Sequence, residues 1–228
     1  EMARCAHTNV VAAITNGCSI AISAVVRFGS DELKRRICPD VFAGKKHICL
    51  AISEPNAGSD VAGLITTAVR DGDHYVVNGV KKWITNGTYS DYYVTAVKTK
   101  PEGGHKGLSF LLIHRDTPGF STRKVRVRDS DISGTAYLEF VECRVPVANL
   151  IGKEHHGFKY IVHNFNHERF YICVMANRFS RICLEESLRF AMRRVTFGKK
   201  LVEHQAIRLK IASMARGVEQ LQAWLEMI

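Results

Sequence analysis

The hydrophobic pattern of this chain changes period twice, and that switch constrains the fold more than any other feature. Up to about residue 47, small and apolar residues recur at helical spacing. From about 48 to 150 they alternate. In "TAYLEFVECRVP", for example, Ala136, Leu138 and Phe140 alternate with Thr135, Tyr137 and Glu139. From Gly157 the helical period returns, with Leu184, Leu188 and Ala191, then Ile207, Ile211 and Met214. Period two belongs to half-buried strands and period 3.6 to amphipathic helices. The chain therefore reads as a multidomain α+β protein. Helices occupy 1–47, an antiparallel sheet or barrel occupies 48–150, and a helical bundle occupies 151–228.

Local punctuation sharpens these boundaries. Ser30 or Asp31 can cap a helix that Gly44 ends, with Pro39 as a break or new start between them. In "HYVVNGVKKWIT" two strand-like runs flank Asn78-Gly79, which predicts a tight hairpin there. A second Asn-Gly, at 86–87, precedes the strand-like "YSDYYVTAVKT".

Composition excludes several classes. Charged residues are 24% and hydrophobic residues 46% of 228, the balance of a packed domain rather than a disordered chain. "NVVAAITNGCSIAISAVVRF" comes nearest to a membrane span, but polar residues interrupt it, so it reads as buried helical packing. No membrane partner is expected. The seven cysteines are scattered and none are spaced as CxxC. They read as free buried thiols in a reducing compartment, with no metal site. The formal charge is +10, yet the basic residues are dispersed, so nucleic acid is not the expected partner. No targeting segment is visible and both ends fall inside helical patterns. The expectation is a fragment of an intracellular protein, of the cytoplasm or the mitochondrial matrix.

Two stretches could carry chemistry. "LAISEPNAGSDVAG" leaves a strand for a Gly- and Ser-rich loop, which can be a plain loop or an anion cradle. "KKWITNG" ends a strand, where a Trp is more often core than cofactor contact. A third feature is Glu168 in "NFNHERFYICVMANRF", sharing a helical stripe with Phe165, Ile172, Met175 and Phe179. It can be a buried partner of Arg169 or Arg178, or a reactive acid.

In chain order, "AISEPNAGSDVAG", "YVVNGVKKWITNG", "VECRVPVANLIGKE", "FNHERF" and "RRVTFGKKLVEHQAIRLKIASMA" together resemble the acyl-CoA dehydrogenase family over essentially the whole chain. That resemblance implies N-terminal helices, a middle β-barrel, a C-terminal helical bundle and FAD as cofactor. It assigns Leu50, Ala51, Ile52 and Ser53 to a loop holding the flavin, and Ser59 to the cofactor loop where it meets the acyl-CoA. It makes Trp83, Ile84 and Thr85 a second flavin wall. Arg194, Thr196, Phe197 and Gln205 become a segment reaching the FAD of a neighbouring subunit. Asn166, His167, Glu168 and Arg169 flank the substrate.

The resemblance implies desaturation of an acyl-CoA thioester, in fatty acid β-oxidation or branched-chain acyl-CoA catabolism. A base removes the α-proton while the β-hydride leaves for the flavin. Family members differ in where that base lies. In isovaleryl- and long-chain-type enzymes it stands just before an Arg, which here is Glu168 before Arg169. In others it lies on a later segment. The assembly that the resemblance implies is a homo-oligomer, a tetramer, with an electron-transfer flavoprotein as acceptor. An acyl-CoA oxidase and a DNA-associated flavoprotein of the same fold are the alternatives. Three positions depart from the family pattern: Gly134 where an Asp is usual, "GKEHHG" with His155 and His156 in place of Glu-Gly, and Asn56 where Gly is common.

Overall fold

A computed structural model of the chain describes residues 4, 7–127 and 130–228. The chain divides into two compact units, one of residues 9–167 and one of 1–8 with 168–228.

In the larger unit, helix α1 (Thr8–Thr15) continues through a π-helical turn (Asn16–Ala21) into α2 (Ile22–Phe28), and α3 (Asp31–Phe42) follows. The Ser30 hydroxyl accepts the Leu33 amide, the bond expected of an N-cap. Gly44 takes φ 69°, which ends the helix. Pro39 interrupts nothing and lies inside α3. The run Val10–Phe28 is long and apolar enough, by length and composition, to cross a membrane, contrary to the sequence reading. Its polar residues do not break it, because the hydroxyls of Thr15 and Ser23 turn back onto the carbonyls of Val11 and Ile20. The inner face of this run is packed. Ala21, Ile22, Ala24 and Val25 belong to a core shared with strand residues.

The strands are β1 (Ile48–Ala51), β2 (Thr67–Asp71), β3 (His74–Ile84), β4 (Tyr92–Lys98), β5 (Leu108–His114), β6 (Phe120–Lys124), β7 (Ala136–Pro146) and β8 (Leu150–Ile151). The short helix α4 (Ser130–Ser133) precedes β7. They form one sheet in the order β6-β7-β3-β2-β4-β5-β8, with β1 also on β4. The expected antiparallel barrel is not what forms. The sheet is mixed, since β1 and β2 both pair parallel to β4. It is also open, because β6 and β8 close on no strand among the described residues. Two short strands share one edge of β4 in tandem, and among the described residues no second long strand spans that edge to carry the sheet round.

Strands β4 and β5 feed two cores. Val94, Ala96, Leu108, Phe110 and Leu112 face the helices. Tyr93, Val97, Leu111 and Ile113 pack in a second core with Tyr75, Val77, Leu138 and Phe140. Burial on both faces explains why "LSFLLIH" is a continuous apolar run rather than an alternating one.

The expected hairpin at Asn78-Gly79 is absent. Strand β3 runs straight through it, and the turn comes earlier, at Gly72 with φ 60°. Gly79 instead sits at a register shift against β7, with φ 140°. A Cβ there would lie 2.7 Å from the Thr66 Cα, so glycine serves close backbone approach here. The Asn78 side chain accepts the Glu142 amide at 2.8 Å and donates to the Glu142 carboxylate at 2.6 Å. It pins Glu142 at φ 50°.

The cysteines are a second correction. Cys49 and Cys143 are buried, Cys38 is half-buried, and Cys18, Cys173 and Cys183 are exposed. Cys5 lies outside the described residues.

The smaller unit contains most of α5 (Gly157–Arg193), a hairpin of β9 (Val195–Thr196) and β10 (Lys199–Lys200), and α6 (Gln205–Met227). Asn177 bonds Gln222 and Arg181 bonds Glu219. Partners fall in number on α6 as they rise on α5, so the two helices run antiparallel. Much of their apolar surface is open. Ile172, Leu188, Met214 and Trp224 are all exposed.

Candidate functional site

The loop after β1 and the end of β3 are tied together. The Ser53 carbonyl accepts the Lys82 amide at 2.9 Å, which brings Leu50–Ser53 beside Trp83–Thr85. Ala51, Ile52 and Ile84 are buried, so their side chains anchor backbone rather than meet a ligand. Leu50, Ser53 and Thr85 are half-buried, and Ser59 is exposed.

What remains free at this junction suits a flat, polar-edged ring. Among the described residues, the hydroxyls of Ser53 and Thr85 bond no protein group. The amides of Gly58, Ser59 and Thr85 likewise donate to no carbonyl. Trp83 is 51% exposed at φ 67°, a conformation costly for a bulky residue and found where function demands it. The Lys82 ammonium lies 4.4 Å from the centre of its ring. The junction therefore offers hydroxyl donors, amide donors and an indole face, a donor set that fits an isoalloxazine ring.

The sequence reading missed two residues of this junction. Lys81 is completely buried, and its ammonium donates to the Ile52 carbonyl at 3.0 Å and to the Glu54 carboxylate at 2.8 Å. Glu54 also accepts the amides of Ile65 at 2.6 Å and Thr66 at 3.0 Å. Burial pulls the Lys81 ammonium down to about 8, against the opposing charge of Glu54. Burial pushes the Glu54 carboxyl up, but Lys81 and the Ile65 amide outweigh it and hold the group below its ordinary value. One signal was present: Lys81 stands on the inward side of a strand whose other inward residues include Tyr75 and Val77.

Two of the departures from the family pattern, Gly134 and His155, have specific local contacts. Gly134 takes φ 53°, and a Cβ on it would lie 2.3 Å from a ring carbon of Tyr89. Tyr89 therefore occupies the space an Asp side chain would need. His155 takes φ 65°, its amide donates to the Ser109 hydroxyl at 2.8 Å, and its ring bonds the Thr99 hydroxyl at 3.0 Å.

On α5, His167 bonds the Ser19 hydroxyl at 3.1 Å. Asn166 and Arg169 are exposed, and Glu168 is half-buried. Burial pushes the Glu168 carboxyl above the ordinary carboxylate range, with Arg169 pulling the other way. Among the described residues Glu168 makes no side-chain hydrogen bond and no salt bridge, and Arg169 acts on it through its charge. In the smaller unit, Phe197 is 96% exposed at the β9–β10 turn, the Thr196 hydroxyl bonds His204 at 3.1 Å, and Arg194 and Gln205 are exposed.

A mixed sheet backed by helices is followed along the chain by two long antiparallel helices. The middle-domain model of acyl-CoA dehydrogenases matches residues 49–143, and the C-terminal-domain model of the same family matches 155–228. The chain belongs to the acyl-CoA dehydrogenase family. It is 40% identical to the acyl-CoA dehydrogenase AFT10-1 of Alternaria alternata over 99% of its own length and 52% of that relative's. Its fold is similar to that of a probable acyl-CoA dehydrogenase from Mycobacterium abscessus, with TM-score 0.92 and 41% identity, over 96% of this chain and 58% of that one. It is also similar to the prolyl acyl carrier protein oxidase AnaB, with TM-score 0.90 and 31% identity, over 96% of this chain and 58% of that one. The chain thus spans about half the length of the relative it matches.

Proposed function

We propose that the full-length protein is an FAD-dependent acyl-CoA dehydrogenase that forms the α,β-double bond of an acyl-CoA thioester. The observation that carries this reading is the bond of the Lys82 amide to the Ser53 carbonyl, which ties the loop bearing an unbonded Ser53 hydroxyl to the strand end bearing an unbonded Thr85 hydroxyl and the exposed Trp83 ring. Bound FAD would supply the acceptor for the substrate's β-hydride.

The chain's own residues supply the rest. Ser53 and Thr85 would hold the flavin through their unbonded hydroxyls, with Trp83 as a further contact. The free amides of Gly58 and Ser59 are preorganised dipoles for a negatively polarised group on the thioester ligand. Glu168 removes the α-proton. Burial keeps its carboxyl basic enough for that work, against the charge of Arg169, and its oxygens accept no hydrogen bond from the described residues. Arg194, Thr196, Phe197 and Gln205 present an exposed, basic and aromatic turn to a neighbouring subunit's cofactor, within a homo-oligomer. An electron-transfer flavoprotein would be the electron acceptor.

The test is anaerobic titration of the full-length protein with acyl-CoAs of several lengths, following bleaching of the flavin absorbance. Full bleaching by at least one acyl-CoA supports the reading, and a yellow protein that none of them bleaches sinks it. The likeness to an oxidase favours a second reading, in which oxygen is the acceptor. Steady hydrogen peroxide release at the turnover rate, without added acceptor, would select it.

A further inference from the structure

We propose that Lys81 and Glu54 are positioning residues for the flavin, fixing the backbone of Ile52, Ser53 and Glu54 against strand β3. The inference rests on the flavin reading above and adds two residues that touch no ligand.

The geometry carries it. One hydrogen bond joins the buried pair and three radiate from it. Lys81 donates to the Ile52 carbonyl and to the Glu54 carboxylate, and Glu54 accepts from the Ile65 and Thr66 amides. The first two hold the start of the loop that carries Ser53 and Ser59. The last two hold its end. The pair therefore closes the loop at its neck, while Lys82, the next residue along β3, binds the Ser53 carbonyl from the same strand. A shift of Lys81 moves Ile52 and Ser53 together, and Ser53 carries one of the two free hydroxyls.

Stability alone does not call for ions here. A buried ion pair is often replaced by apolar or neutral groups without loss of stability, whereas breaking one partner alone is costly. What a neutral pair cannot reproduce is a donor long enough to reach the Ile52 carbonyl from the neighbouring strand. The neck of this loop has a carbonyl and two amides turned inward, and Lys81 with Glu54 satisfies all three. Held in that way before any ligand arrives, the loop needs no ordering when the ring binds.

The experiment uses the full-length protein, as wild type and with Lys81→Met and Glu54→Gln combined, which leaves neither charge alone. Melting temperature, FAD affinity, the flavin absorption spectrum and the flavin reduction potential are measured for both. The expected result is a melting temperature above that of Glu54→Gln alone, FAD binding weaker by about tenfold, the worth of one hydrogen bond, and a shifted spectrum and potential. Unchanged affinity, spectrum and potential overturn the inference while leaving the proposed function intact. Wild type that binds no FAD overturns the proposed function, and this inference with it. A second measurement needs no variant. In flavin-free wild type, the Ile65 and Thr66 amides should already exchange slowly with solvent, and fast exchange that slows only on adding FAD overturns the preorganised neck.

Discussion

The ammonium of Lys81 lies 2.8 Å from the carboxylate of Glu54, and both side chains are closed to solvent. Removing one partner leaves the other charge buried and alone. Glu54→Gln should therefore cost about 3–5 kcal/mol of unfolding free energy, measured by urea denaturation at neutral pH. The combined Lys81→Met and Glu54→Gln variant should recover most of that loss. A Glu54→Gln protein as stable as wild type would show that the pair contributes nothing. The pH dependence has a definite sign. Lys81 is pulled from 10.5 to about 8 in the fold, so between those values only the unfolded chain holds the proton. This group's contribution to stability then rises with pH across that window, and Lys81→Met should remove the rise. Glu54 works in the opposite range. Its carboxyl lies below the ordinary 4.5, so its contribution is present above that value and lost in stronger acid.

Gly134 and Tyr89 define a second test. At φ 53°, with a Tyr89 ring carbon 2.3 Å from where a Cβ would stand, Gly134→Ala meets both backbone strain and a clash. The expected loss is about 2–4 kcal/mol, read from thermal or urea unfolding. Adding Tyr89→Ala should return the part due to the clash and leave the part due to φ. If Gly134→Ala alone melts at the wild-type temperature, Tyr89 does not fill that space in solution.

What the sequence revealed was local, and what it concealed was tertiary. The Ser30 cap and the Gly44 stop are bonds and dihedrals within a few residues, and residue type is enough to read them. Asn78-Gly79 carries the same kind of signal, yet it misled. The demand met by Gly79 is close approach to Thr66, twelve or more residues away, and Asn78 answers to Glu142. The period-two rule predicted Ala136, Leu138 and Phe140 inside, and they are. It then failed at Glu142, whose positive φ shifts burial to Cys143 and Val145. Of the candidate site, the motifs marked the loop and the strand end. They did not mark Lys81, because a lysine on the inward side of a strand contradicts its type until the Ile52 carbonyl and Glu54 are placed beside it. The exposed apolar faces of α5 and α6 were legible only as stripes, since a stripe does not say what covers it.

Cys49 gives an alkaline prediction. Its thiol is fully buried, and burial pushes it from 9.0 up to about 12. Between those values the unfolded chain has lost the proton and the folded chain keeps it. The stability this group provides is therefore whole below pH 9 and is lost as pH rises toward 12. Tyr75, pushed by burial from 10.0 to about 12, acts in the same direction. Unfolding free energy should fall steeply above pH 9, and Cys49→Ala should make that fall shallower while lowering stability at neutral pH. Parallel slopes for the two proteins would mean that Cys49 ionises as easily in the fold as outside it.

Glu168 provides the prediction closest to chemistry. A general base works only when ionised, so the rate of flavin bleaching by an acyl-CoA should fall as pH drops through the Glu168 pKa. Burial holds that pKa above the ordinary carboxylate range, and the acidic limb of the rate profile should lie correspondingly high. Glu168→Gln should slow bleaching by roughly 10²–10⁴-fold while leaving FAD bound. The neighbouring charge supplies an independent check. Arg169 pulls the Glu168 pKa down against burial, so Arg169→Gln should move the acidic limb to still higher pH. A limb that stays in place in Arg169→Gln, together with wild-type bleaching in Glu168→Gln, would put the base on another residue.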